Sequence, residues 1–540
     1  MNKKVLQITL LALSLVFTAC GGSKEDTVSQ SNGVKEVASL PGEYPIVDEK
    51  ITLKVFLPSD PFINDLTTNE LTKEYEEKTN VKIEWEEVPK MSLKEKLNLI
   101  LSTNQSMPDI FLNTSLSNAQ ITNYGSNLGM FRDLTPYIEK YGPNIQKMLD
   151  YDPSIRQAVT AQDGKIYALP SVEEAYHVRA PQKLWVYKPW LEELGLEVPQ
   201  TTDEFYEMLK IFKEKKGDII PLTGAITGWY TGVLDFFMCS FIYSDQDNRW
   251  IVENGEVSVP FDKDQWREGL KYLNKLYVEG LLDEGAFTQD QAQLRQLTMS
   301  GKVGVATAGA SAAFAQGSKR TEYITIPPLE GPNGNRVTAY EPMVITLGKF
   351  AVPTASEHPD VAVRWLDYFL SEEGSLRSRN GVEGKDWRRA EDGEISISGN
   401  QAKYLKILKF NKNQNSHWMK IVPQFFPGDL RNAEVDESVK NGKVSIEKML
   451  YDETAKNYDP YLKKEVMKEV YMDLDSSMEY SELDYIINSY VEEMAAKFVL
   501  GQIDINSDKE WKNYLKVLKG MNLDRYVDLK AKAYKKQYVN

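Results

Sequence analysis

The sequence predicts an α/β protein of two lobes, each a mainly parallel sheet flanked by helices, with extra helices at the carboxyl end. Three observations carry that expectation. Residues 51–114 alternate strand and helix patterns across short loops, which is the grammar of parallel βαβ units. The same alternation resumes from Pro189. A chain of 540 residues also exceeds what one ordinary core can hold.

The elements follow in order. ITLKVFLP (51–58) places Ile51, Leu53, Val55 and Leu57 in period two, a strand. Leu66 to Thr79 reads as a helix, with Leu71 and Tyr75 on one face and Asn80 as a left-handed stop. VKIEWEEV (81–88) is a second strand. MSLKEKLNLILST is an amphipathic helix with Ser92 as its cap and Leu93, Leu97, Ile100 and Leu101 on one side. PDIFLNTS holds a third, short strand. Further on, Pro189–Leu194 and Thr202–Lys215 are helical, and DIIPLTGAI is strand-like. RWIVENGEVSV carries Asn254-Gly255 between two alternating runs, a strong hairpin signal because both turn residues must take positive φ. Asp264–Glu279 is a helix broken at Gly280, GKVGVATAG a strand flanked by glycines, and HPDVAVRWLDYFLSEEG a helix with Val361, Trp365 and Phe369 in register. The carboxyl end is all helix, in one stripe running to Gly501 and a second through Trp511, Tyr514, Leu515 and Leu518.

The amino terminus has a different character. Lys3 and Lys4 precede a mostly apolar run, Val5–Phe17, then the small residues Thr18-Ala19 and Cys20. That is a secretory leader, too short to span a bilayer permanently. Phe17-Thr18-Ala19-Cys20 resembles the lipobox of bacterial lipoproteins, which implies that Cys20 becomes the lipidated first residue of the mature chain. Residues 21–40 are small and polar without an aromatic, hence a flexible tether. The expected organisation is a leader over 1–19, anchor and tether over 20–45, and a first lobe over 46–168 completed by about 301–350. A second lobe over 169–300 is completed by about 351–470, and terminal helices occupy 471–540.

The net charge of −15 argues against nucleic acid as a partner, since such a surface repels phosphate backbones. Cys239, in DFFMCSFIY, reads as a core thiol without redox duty. No GxSxG, GxxxxGK, GxGxxG or HExxH motif occurs, and the three histidines, His177, His358 and His417, lack ligand-spaced neighbours. YSDQDNRWIVEN carries calcium-like acids without the glycine and glutamate an EF-hand loop needs. Neither a cofactor nor a metal is expected.

Binding surfaces are better represented. With 29 tyrosines and 10 tryptophans the chain can supply flat faces for sugar rings, with carboxylates and amides for the hydroxyls. Candidates lie in loops after predicted strands: Ser59, Asp60 and Phe62 after the first, Asn113 and Thr114 after the third. Trp229 and Tyr230 follow DIIPLTGAI, Gly309 lies in the glycine-rich loop, and Tyr176, His177, Glu341 and Trp387 come from connecting segments. Each has a plainer alternative. Asp60 can cap a turn, Trp229, Tyr230 and Trp387 can pack in the core, and His177 can be a polar loop residue.

Several stretches together carry a family likeness. ELTKEYEEKTNVKIEWEEVP with SMPDIFLNT, DLTPYIEKYGPNIQKML, DGKIYALPSV, LWVYKPWLEELGLEVPQTTDEFYEMLKIFK, EGLKYLNKLYVEGLLD, MSGKVGVATAG and the terminal YVEEMAAKFVLGQIDI succeed one another over nearly the whole chain. In that order they resemble the extracellular solute-binding proteins of ABC importers, the maltose-binding-like class, and especially its large lipoproteins. The resemblance implies a type II periplasmic-binding-protein-like fold that closes on a carbohydrate, an oligosaccharide by family habit, and docks as a monomer on an ABC permease. It implies a protein held to the outer face of the cytoplasmic membrane through Cys20. A surface-anchored glycoside hydrolase and a carbohydrate sensor lipoprotein remain as alternatives.

Overall fold

A computed structural model describes residues 36–246, 249–408, 412–438 and 445–539. The leader, the lipobox and Cys20 lie outside these residues. So do Asp247 and Asn248 of the calcium-like stretch.

The strands fall in chain order as β1 (Ile51–Pro58), β2 (Val81–Val88), β3 (Ile110–Leu112), β4 (Ala168–Glu173), β5 (Leu184–Tyr187) and β6 (Ile220–Thr223). The pair β7 (Ile251–Glu253) and β8 (Glu256–Ser258) precedes β9 (Val303–Thr307), β10 (Tyr323–Ile326) and β11 (Val344–Ala351). Three short strands follow: β12 (Trp387–Arg389), β13 (Tyr404–Lys406) and β14 (Phe425–Phe426). Six of them form one sheet in the order β14-β4-β11-β3-β1-β2, and four form another, β10-β5-β9-β6.

The opening βαβ units form as the periodicity predicts. β1 pairs in parallel with β2 from Ile51↔Val81 to Pro58↔Val88, and with β3 at Val55↔Ile110. The helix between them, Glu70–Thr79, is capped by the Asn69 side chain and ends at Asn80 with φ 60°. It starts later than the expected Leu66. The next helix, Leu93–Thr103, is not capped by Ser92: a short 3-10 turn, Lys90–Ser92, leads into it and the Ser92 side chain makes no capping bond. The hairpin turn has Asn254 at φ 52° and Gly255 at φ 77°, as its two-residue loop requires.

The return segments divide between the lobes otherwise than expected, only in part completing the lobe assigned to each. β9 and β10, within 301–350, belong to the second sheet, and only β11 crosses back to the first. The helix Pro359–Asp367 then packs Val361, Trp365 and Leu366 into the core of the first sheet with Leu53, Val55 and Leu57. Long-range pairing decided this, and local pattern carries no signal of it. The terminal helices Leu474–Val499, Asp508–Gly520 and Leu523–Tyr534 attach to the second lobe. Ile487, Val491, Trp511, Tyr514 and Tyr526 share one core with Leu270, Leu273, Leu184 and Val186. Each sheet is packed on both faces: Leu184 and Val186 face that core while Trp185 faces another.

The tether is shorter than expected. Val37 and Ala38 donate backbone N–H groups to Asp360 Oδ2 at 2.5 and 2.8 Å, and the Glu36 carboxylate meets Lys140 and Tyr141. Arg364 reaches the carbonyls of Leu40 and Glu43. Residues 36–45 are therefore fastened to the first lobe, because a buried aspartate and arginine on one helix satisfy an otherwise unpaired backbone. Among the described residues no helix is long and apolar enough to cross a membrane.

Candidate functional site

Strand direction places the site. In the first sheet β1, β2, β3, β4 and β14 all end on one edge, and β11, which is antiparallel to β3 and β4, begins there. In the second sheet β6, β9 and β10 end together, where β5 begins. Residues 174–183 run from the end of β4 to the start of β5, and 327–343 from the end of β10 to the start of β11. Both crossings therefore join carboxyl edge to carboxyl edge, which is where open α/β sheets present their ligands.

On the second sheet's edge the sequence candidates meet. Trp229 follows β6, and its backbone carbonyl accepts from Gly309 N–H at 2.9 Å after β9. Its indole lies on Gly309 so closely that a Cβ there would fall 2.4 Å from Trp229 Cε3. That glycine is the one residue type that lets the ring lie flat on the backbone. His177 meets the same indole edge-on, with ring centroids 6.1 Å apart. It is buried, and burial is the main cause that pulls its imidazole down to about 4. Tyr176 stacks on Tyr451 at 4.1 Å and its hydroxyl bonds the Asp459 carboxylate. Glu341 joins through the backbone, donating its N–H to the Arg179 carbonyl at 2.9 Å.

Trp229 and Tyr230 part company. Trp229 is half-buried, whereas Tyr230 is buried with φ 53°. Tyr230 and Glu341 line a cavity of about 270 Å³ together with Tyr340, Ser154, Ile345 and Lys530. Its walls come from both lobes and from the terminal helices.

On the first sheet's edge the loops after β1 and β3 hold Ser59, Asp60, Phe62, Asn113 and Thr114. Asp60 Oδ1 accepts from Phe62 N–H at 2.9 Å, so its carboxylate closes a turn, one of its two alternatives. Ser59 N–H donates to the Val88 carbonyl, and the Phe62 carbonyl accepts from Gln414. Thr114 is buried with its hydroxyl toward the Gly348 carbonyl. Asn113 takes φ 56° and accepts from Lys349 Nζ at 2.8 Å. Trp387 packs on Phe426, the last residue of β14. It is buried with Leu376, Tyr404, Phe426 and Leu430, its indole donating to the Gly381 carbonyl at 2.9 Å, and in that position it packs as core.

The structure adds charged residues that no motif marked. Glu173, at the end of β4, accepts from Arg379 at 2.7 Å, Arg431 at 3.0 Å and Lys420 at 3.0 Å. Burial alone would raise its carboxyl, but these three cations outweigh it and hold it well below the usual range. Arg431 also pairs with Glu447 at 2.9 Å. Lys183, fully buried at the start of β5, donates to the carbonyls of His177 and Ala180 and thereby fixes the turn between the sheets. Burial lowers its ammonium to about 7. Cys239 is buried beside the Ser244 carbonyl at 3.1 Å, and burial pushes its thiol up to about 12.

Comparison with known proteins agrees with this architecture. Residues 61–375, over half the chain, match the family described as bacterial extracellular solute-binding protein. The fructooligosaccharide ABC transporter substrate-binding protein of Streptococcus pneumoniae serotype 4 is 27% identical, over 98% of both chains. Lipoprotein LipO of Bacillus subtilis is 27% identical over 75% of this chain and 77% of its own. An HMO-binding, ABC-transporter-associated solute-binding protein from Bifidobacterium longum infantis superposes with a TM-score of 0.74 at 22% identity, over 90% of this chain and 99% of that one. Its likeness speaks for the two-lobed fold alone. With the family match spanning most of both lobes, the chain belongs to the bacterial extracellular solute-binding proteins.

Proposed function

We propose that this protein captures an oligosaccharide between its lobes, closes on it by a hinge, and delivers it to an ABC permease while a lipid on Cys20 holds it to the membrane. The carrying observation is the half-buried Trp229 indole, laid on Gly309 at a carboxyl edge that crossing segments bring against the other sheet's edge. A rigid aromatic face in such a cleft suits the apolar side of a sugar ring, and neighbouring carboxylates and amides suit its hydroxyls. The curated relatives named for fructooligosaccharide transport and as a lipoprotein support the same reading.

The reading includes no catalysis. Glycoside hydrolysis needs a carboxyl that can hold a proton. Glu173, a half-buried carboxylate at the end of β4, is kept ionised by three cations, and Asp60 is engaged in its turn.

A thermal-shift screen over oligosaccharides, followed by calorimetry, tests the proposal. Trp229→Ala is expected to weaken a confirmed ligand by roughly 5- to 150-fold, the loss of about 1–3 kcal/mol of aromatic burial. Unchanged affinity in a folded variant removes Trp229 from the site. Absence of any saccharide ligand overturns the reading itself.

A further inference from the structure

The first sheet's carboxyl edge holds a lysine that, among the described residues, bonds only neutral acceptors. Lys349 lies in β11, where the pairing with β4 slips between Thr346 and Phe350. Its Nζ donates to Asn113 Oδ1 at 2.8 Å and to Ser115 Oγ at 2.9 Å, both neutral acceptors. Among the described residues, none of its ion pairs or hydrogen bonds is to a carboxylate. The lysine is half-buried, and burial with Lys420 and Lys90 as its charged neighbours lowers its ammonium to about 8.

Those two neighbours extend the surplus along the edge. Lys90 lies just beyond β2, and Ser59 bonds the Val88 carbonyl beside it. Lys420 has its side chain 59% exposed, and its carboxylate, Glu173, is already shared with Arg379 and Arg431. This concentration sits in a chain of net charge −15, so a generally basic surface does not account for it. A half-buried ammonium that spends two of its three donors on neutral oxygens is costly to maintain without a counter-charge.

We propose that the captured saccharide is acidic, a uronic-acid oligosaccharide whose carboxylate takes its place on Lys349 with Lys420 and Lys90 flanking it. The proposal rests on the carbohydrate reading above and narrows it.

Calorimetry on the purified protein with oligogalacturonates, oligoalginates and glucuronate oligomers, their methyl esters, and neutral fructo-, xylo- and manno-oligosaccharides distinguishes the cases. The expected result is an acidic ligand whose methyl ester binds about tenfold or more weakly, with affinity falling as sodium chloride rises. Lys349→Met should bring the acid down to about the level of its ester and remove most of the salt dependence. Lys420→Gln should do the same to a smaller degree. The contrast of acid, ester and salt needs no variant, so it decides even where a substitution disturbs folding. Binding of neutral saccharides with no acidic ligand overturns the acidic inference and leaves oligosaccharide capture standing. Failure of every saccharide, acidic or neutral, overturns both.

Discussion

Acid should unfold this protein earlier than carboxylate titration alone would. The perturbation is a fall in pH from 6.5 to 5, and the sensors are His177 and His417, only 8% and 4% exposed. Burial is the first cause in each that holds the imidazole down at about 4, against the partial pull of Glu447 on His177 and of Asp386 on His417. The ordinary value, about 6.5, applies once the chain unfolds. As pH falls through that value the unfolded chain takes up protons that the folded one refuses, so stability falls with acidification. Each histidine is worth about 3 kcal/mol over the whole interval from pH 6.5 to pH 4. Between pH 6.5 and pH 5 the two together should remove roughly 3 kcal/mol, a large share of a typical domain's stability. Glu447 acts lower: burial would raise it, but Arg431 first, then His177 and Lys406, hold it at about 2, so its contribution is lost below about pH 4.5. Urea titrations at pH 7.5, 6.5, 5.5 and 5.0 measure the slope, and His177→Gln and His417→Gln should each roughly halve it. A flat profile between pH 6.5 and pH 5 would falsify the claim that both imidazoles stay neutral in the fold.

Other outcomes follow from single contacts. Gly309→Ala puts a Cβ 2.4 Å from Trp229 Cε3, so the indole must tilt away; tryptophan fluorescence should shift and saccharide affinity fall about tenfold, while wild-type affinity would show the ring is not the platform. Asp235→Ala strips Arg249 of its bidentate partner, bonded at 2.9 and 3.0 Å in a buried site, and should cost about 3–5 kcal/mol by denaturant titration. Cys20→Ser should move the protein from the membrane fraction to the medium with binding intact; mass spectrometry of an unmodified Cys20 in the parent would end the lipoprotein reading. A confirmed ligand should lower the radius of gyration in small-angle scattering, and an unchanged radius contradicts closure by a hinge.

What the sequence disclosed was local. Asn80 as a left-handed stop, the Asn254-Gly255 turn and the period-two strands are decided by a residue's own φ preference or by its near neighbours. Ser92 misled because the preceding Pro89 turns into a 3-10 segment, leaving a serine of the right type in the wrong geometry. The lobe each return strand joins was illegible, since a short apolar run looks the same in either sheet and only partners far away in the chain distinguish β9 from β11. At the site, Trp229, His177 and Gly309 could be named from loop position, but their contact could not. Lys349 was missed although MVITLGKFAV carries a faint signal, a lysine inside an apolar strand. Trp387 took its plainer alternative, core packing, because the Gly381 carbonyl approaches closely enough to accept its indole hydrogen.

The position of β11 sets a timetable. It is a central strand of the first sheet, hydrogen-bonded to β3 on one side and β4 on the other, yet it is the eleventh strand of the chain. Until residues 344–351 arrive, β3 and β4 have no bridge between them, and each exposes a ladder able to pair with the wrong chain. β14, which completes the far side of β4, comes later still. A sheet assembled from such distant pieces folds slowly, because loop closure must precede the contacts that reward it. Nascent chains emerging in order would hold two open sheet edges for most of their length, and a cell making this protein in quantity has to keep those edges apart until the whole chain is available.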